Sequence, residues 1–266
     1  MRFFLTIAIA GTFFISASRG MCQETALPHS ANVTKDDSGN VTALRVTGKS
    51  DQERLPLSIE AIDEISTYTS LTSLSLWGTT IDDAGLERLV DLKNLQMIDL
   101  SYTDVTGRSL QTLSNLKNLI YIRLEACDIR DDHLATLAEM PQVAILYLGN
   151  TSVSDKGLQH VRGRENLNTL QLSDCKITDA GLASLGYLPQ IQHLWLSKTI
   201  RYGTNDRSEI TDKSVDYLAS LDSLIELRIS DSKLTEEGLE RLREALPKTK
   251  ISTVQTGVTY LSRLKP

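Results

Sequence analysis

Aromatic side chains are scarce in this chain, at 5% of residues, and phenylalanine is absent beyond position 14, all four lying at Phe3, Phe4, Phe13 and Phe14. Any core built further along must be aliphatic. Cysteine is scarcer still, with only Cys22, Cys127 and Cys175, too few for a disulfide scaffold. No apolar run reaches the ~20 residues that cross a membrane as a helix. Basic charge is outnumbered, 28 Lys and Arg against 34 Asp and Glu, which disfavours nucleic acid as a partner. A phosphate-cradling glycine loop is missing. His29, His133 and His160 have no zinc-ligand spacing, so no cofactor or metal is expected.

The opening residues run from Arg2 through an apolar stretch to the small residues Ser16, Ala17, Ser18 and Gly20. That order is a secretory signal's, so residues 1–20 are expected to be removed on export to the periplasm, cell envelope or exterior. Removal takes Arg2 and Arg19 and no acid, leaving 26 basic against 34 acidic side chains, a net charge of −8. Cys22 stands where a lipid-bearing cysteine follows some signals, but Arg19-Gly20-Met21 is a poor match to that motif. Membrane contact after signal removal is not expected. Residues 21–40 read as a polar, poorly ordered lead-in and 255–266 as a tail.

What the chain does have is a period. Segments starting at Leu71, Leu95, Leu119, Val143, Leu167 and Ile191 lie 24 residues apart. A further copy starts at Leu224 after a nine-residue enlargement, a degenerate one at Val41 runs six residues long, and Ile251 to Val254 resembles a last half-copy. The count is about eight units over residues 41–254, with atypical ends suited to capping. Each unit opens with Leu-x-x-Leu-x-Leu, the alternation of a short strand whose fourth and sixth positions face inward. Its second half opens with a helix-capping residue, Asp82, Thr106, Ser154, Thr178, Thr211 or Thr235, often followed by an acid such as Asp83, Asp155, Asp179, Asp212 or Glu236. These suit the free N–H groups and positive dipole of a helix start. Leucines then recur three apart, as at Leu86, Leu89 and Leu92. The ninth position is small and polar (Thr79, Thr103, Cys127, Thr151, Cys175, Thr199, Ser232), as a ladder tying one turn to the next requires. Arg130 at a cap and Arg164 at a core position depart from the pattern.

This pattern resembles the leucine-rich-repeat family, in particular its cysteine-containing subclass, with the signature Ile177-Thr178-Asp179-Ala180-Gly181-Leu182; it is also similar to small secreted bacterial repeat proteins. The resemblance implies an α/β solenoid, a horseshoe with parallel strands on the concave face and helices on the convex one, and a binding surface rather than a reaction. Cys127 and Cys175 share a position two repeats apart. Strand spacing then separates them by about 10 Å, beyond disulfide reach, so buried thiols are expected.

In a parallel stack each outward strand position forms a row. The third positions are Ser73, Met97, Tyr121, Ile145, Thr169, His193 and Glu226; the fifth are Ser75, Asp99, Arg123, Tyr147, Gln171, Trp195 and Arg228. With Trp77 and Tyr102 from the seventh and eighth positions, both tryptophans and three tyrosines fall on a face expected to meet solvent. Trp, Tyr and Arg are frequent interface anchors, although strands favour aromatics in any case. The candidate binding residues are Trp77, Met97, Tyr102, Tyr121, Arg123, Ile145, Tyr147, His193, Trp195 and Arg228. Arg201, Tyr202, Asn205 and Asp206 join them from the enlargement beside Trp195. Asn205, Asp206 and Glu209 fit no calcium loop.

Thr169, His193 and Glu226 succeed one another in the third row, but nothing supplies an oxyanion hole on an open surface, so catalysis is not expected. Asn32-Val-Thr34, Asn40-Val-Thr42 and Asn150-Thr-Ser152 matter only in a host that glycosylates exported asparagine. The expected function is an exported module binding a protein or peptide through its concave face. The alternatives are a glycan binder of the cell envelope, with aromatics stacking on sugar rings, and an intracellular ubiquitin-ligase adaptor, for which the chain leaves no room for an F-box before Val41.

Overall fold

The computed structural model describes residues 25–50, 53–186, 188, 190–197 and 209–253. The expected signal, Cys22, Thr199, the enlargement residues Arg201, Tyr202, Asn205 and Asp206, and the tail lie outside the described residues.

Nine parallel strands follow one another in chain order, one per repeat: β2 (Val41–Arg45), β3 (Ser73–Ser75), β4 (Met97–Asp99), β5 (Tyr121–Arg123), β6 (Ile145–Tyr147), β7 (Thr169–Gln171), β8 (His193–Trp195), β9 (Glu226–Arg228) and β10 (Lys250–Ser252). This is an open leucine-rich-repeat solenoid, and β10 is the half-copy. The tenth strand, β1 (Asn32–Lys35), pairs antiparallel with β2. Residues 32–35 belong to the stretch expected to be poorly ordered. They form a hairpin instead, because Asp36 accepts the Ser38 and Asn40 N–H groups and fixes the turn, covering the open edge of β2.

Aliphatic side chains, mostly leucine, fill the interior at the inward positions. In the repeat from Leu71, the side chains of Leu71, Leu74, Leu76, Ile81, Leu86, Leu89 and Leu92 are at most 2% exposed, each worth about 1.5–3 kcal/mol of burial. The convex side combines short α-helices, α1 (Ile59–Ser66), α2 (Asp83–Glu87), α3 (Ser109–Leu113), α4 (Asp179–Leu185), α5 (Val215–Ala219) and α6 (Glu236–Ala245), with 3-10 segments at Asp131–Glu139, Gly157–His160 and Asp212–Ser214. Leucines three apart explain the mixture, since a 3-10 helix has three residues per turn and brings them onto one line.

The joints between repeats show what the capping acids do. Asp155 accepts from both the N–H and the hydroxyl of Thr178, the cap of the next repeat, at 2.8 and 2.6 Å. Asp83 grips Thr106, Asp131 Ser154, Asp179 Thr211 and Asp212 Thr235 in the same way. The glycine of the signature makes room for this clamp: a Cβ on Gly181 would fall 2.1 Å from Asp155 Oδ1, and one on Gly238 2.1 Å from Asp212 Oδ1. One joint is built differently. Gly107 replaces the acid, and the His133 ring of the next repeat occupies the space, 1.8 Å from where a Cβ on Gly107 would lie. His133 Nδ1 accepts the Arg130 N–H, a bond from the third helical residue back to a cap position whose own side chain accepts none.

The eighth position is left-handed in six repeats: Gly78, Tyr102, Ala126, Asn150, Asp174 and Asp231 have φ between 54° and 65°. The next repeat imposes this turn, as where the Ala126 N–H donates to the Gly149 carbonyl at 2.9 Å. At the ninth position the threonine hydroxyls donate to a carbonyl of their own repeat, Thr151 to Leu148. The cysteines reach back one repeat, Cys127 to the Leu100 carbonyl and Cys175 to that of Leu148. Neither forms a disulfide and both are buried; burial pushes the Cys127 thiol up to about 11. Arg164 keeps its partly buried core position by donating to the Leu137 and Met140 carbonyls of the preceding repeat, and desolvation lowers its pKa.

Candidate functional site

Parallel register builds the expected rows. Ser73, Met97, Tyr121, Ile145, Thr169, His193 and Glu226 pair in succession, as do Ser75, Asp99, Arg123, Tyr147, Gln171, Trp195 and Arg228. Three-residue strands present their middle residue inward and the two flanking ones outward.

The fifth row carries a continuous stack. The Arg123 guanidinium lies 5.0 Å from the Tyr147 ring centroid, the Tyr147 and Trp195 rings meet edge to face at 5.2 Å, and the Arg228 guanidinium lies 4.0 Å over the Trp195 ring. Tyr121 joins from the third row, 5.5 Å from Tyr147. Trp77 and Tyr102 form a separate pair at 5.5 Å. The expectation that these aromatics are exposed is corrected: Trp77, Tyr102, Tyr121, Tyr147 and Trp195 are all half-buried, because they pack on one another and under the arginines. Met97, Ile145, His193, Arg123 and Arg228 are half-buried as well.

Carboxylates anchor both ends of the stack. Arg123 pairs with Asp99 at 3.6 Å and with Glu125; burial works against its charge, but these two acids outweigh burial and raise its pKa. At the other end Glu226 accepts from Arg228 at 3.2 Å and from Trp195 Nε1 at 3.3 Å, with Lys250 at 3.7 Å. Burial pushes the Glu226 carboxyl up, but the Arg228 bond and the surrounding cations bring it below its usual value. Burial raises Tyr121 and Tyr147, keeping both phenols neutral. The Thr169 hydroxyl donates to Asn168 Oδ1, and His193 Nδ1 stands 3.7 Å from Glu226, so these three side chains do not form a hydrogen-bonded relay.

The candidate set omits the anchoring acids Asp99, Glu125 and Glu226, and it omits Gln171. Gln171 lies between Tyr147 and Trp195 in the fifth row and is 7% exposed. Its place between two aromatics was readable from the row; its burial was not, since alternation alone assigns it outward. Among the described residues no group of three His, Cys, Asp or Glu is placed to hold a metal, and no helix is long and apolar enough to cross a membrane.

A family model described as a leucine rich repeat matches residues 69–90 and 165–186. No curated protein matches the chain. Among solved structures, internalin C2 of Listeria monocytogenes is 22% identical, with 71% of this chain and 80% of that one covered at a TM-score of 0.52. The ectodomain of the Arabidopsis receptor kinase HAESA, solved with an N-terminally extended IDA peptide hormone ligand, is 21% identical at a TM-score of 0.55. That match covers 83% of this chain and 35% of HAESA's, so the chain spans about a third of the receptor ectodomain. These likenesses are of fold.

Proposed function

We propose that this chain, which folds as a leucine-rich-repeat solenoid, is an exported, non-enzymatic binding module that takes a protein or peptide on its concave face. The observation that carries this reading is the Arg123, Tyr147, Trp195 and Arg228 stack, four side chains of the types that most often anchor interfaces, held in one row by flanking carboxylates. The same fold holds a peptide ligand in the HAESA ectodomain. The glycan alternative is less well served, because sugar rings stack on open aromatic faces, whereas Arg228 covers a face of Trp195 and Arg123 one of Tyr147.

The test compares the chain with a variant carrying Ala at Trp77, Tyr121, Tyr147 and Trp195, both shown to be folded by circular dichroism, as baits on envelope and secreted fractions. A protein retained by the first and lost by the second is the expected result. Equal recovery overturns the concave-face reading, and displacement of the partner by soluble sugars favours the glycan one.

A further inference from the structure

Tyr147 and Trp195 stand two strands apart in the fifth row, where strand spacing alone separates neighbours by about 10 Å. Their ring centroids are nevertheless 5.2 Å apart. They lean together over the residue between them, Gln171, whose Oε1 is buried with no hydrogen-bond partner among the described residues. The space for its carboxamide comes from Gly149, where a Cβ would fall 2.5 Å from both Oε1 and Nε2. A second buried polar atom of the same row, Arg123 Nε, also lacks a partner. Buried polar atoms are nearly always satisfied, and leaving one unpaired destabilises the free protein. Two of them in one row, beneath the most aromatic part of the surface, indicate a partner that arrives from outside.

We infer that Tyr147 and Trp195 form a lid over a subsite for the main chain of an extended peptide. When the rings part, the Gln171 carboxamide bonds one peptide group and Arg123 Nε donates to a carbonyl further along. The inference rests on the concave-face reading and names its partner class. Arg123 and Gln171 lie two strand spacings apart, about 10 Å, which an extended chain crossing the strands at roughly 3.3 Å per residue spans in about three residues. A peptide group carries both a donor and an acceptor, so it answers either orientation of the carboxamide. Edge-to-face rings with guanidinium-covered faces offer a narrow slot, not a platform for a sugar ring.

The test uses an array of acetylated, amidated hexapeptides on the full chain, followed by N-methylation at each position of those that bind. Gln171→Met keeps the volume and removes the unpaired amide. It is expected to weaken hexapeptide binding tenfold or more while its thermal midpoint stays level or rises, and N-methylation at one position should reproduce the loss. A lowered midpoint would mark Gln171 as structural and overturn the inference. Hexapeptides bound equally by Gln171→Met but lost by Tyr121→Ala overturn the subsite and leave the concave-face reading standing. Binding indifferent to both substitutions, or no hexapeptide bound at all, overturns the subsite and counts against the wider reading as well.

Discussion

At the scale of single residues, the stack imposes conformations that side chains resist. Ala126 has a φ of 57°, in a region that costs an L-residue about 1–2 kcal/mol, and it stays there because its N–H is held by the Gly149 carbonyl. Ala126→Gly is therefore expected to raise stability by up to about 1 kcal/mol, and Ala126→Val to lower it by at least that much, since a branched Cβ fits this region worst. Urea denaturation checks both; a stabilising valine would show that the turn is not strained. Asp212 makes a prediction about pH. The Thr235 hydroxyl and N–H hold its carboxyl below the ordinary 3.8. A depressed folded pKa contributes stability that is complete above the unfolded value and lost as pH falls through the folded one. Unfolding midpoints followed by circular dichroism should therefore drop below about pH 4, and Asp212→Asn should flatten that part of the profile.

At the scale of elements, the Asp-x-Gly signature is half of a lock whose other half, the threonine or serine of the next repeat, lies 23 residues on where no enlargement intervenes. Asp155→Ala removes two hydrogen bonds to a charged acceptor and should cost about 2–3 kcal/mol. Gly181→Ala should cost a similar amount, because its methyl would meet Asp155 Oδ1. The double substitution should cost clearly less than the sum, the mark of residues sharing one interaction; additivity in a double-mutant cycle would refute the clamp. Much of this level was legible beforehand. Ser or Thr in the cap position does accept an N–H at Thr178, Thr211 and Thr235, as does Asp82, because capping is a local rule. The direction in which the following acid points was not legible, since a cap pattern within one helix says nothing about its neighbour. Pairing Gly107 with His133 across two repeats would have signalled it, the missing carboxylate matched by the larger side chain. Leucines three apart likewise signalled 3-10 turns, which a general expectation of helices passed over.

At the scale of the molecule, each repeat touches only its neighbours, so stability runs along the chain as a sum of units and joints. Hydrogen exchange should be slowest at β5 to β7 and fastest at β1 and β10. Leu146→Ala, emptying a side chain 1% exposed in the middle of the stack, should cost about 2–5 kcal/mol and loosen both neighbouring repeats, while Ile251→Ala at the half-buried end should disturb little else. Uniform protection from end to end would contradict a stack of joints. The fold was readable at this scale because a period repeated eight times averages out local ambiguity. The closure of the aromatic rows over Gln171 was not, because it depends on how side chains lean across strands, which no periodicity encodes.

The joint between Asp179 and Thr211 spans the nine-residue enlargement and still closes at 2.7 and 2.6 Å, as tight as joints without one. The length of chain between those two residues is thus uncoupled from the frame on either side. The frame sets a cassette position between Asp179 and Thr211, where a segment can be exchanged or replaced by a foreign sequence without resetting the repeats that carry it.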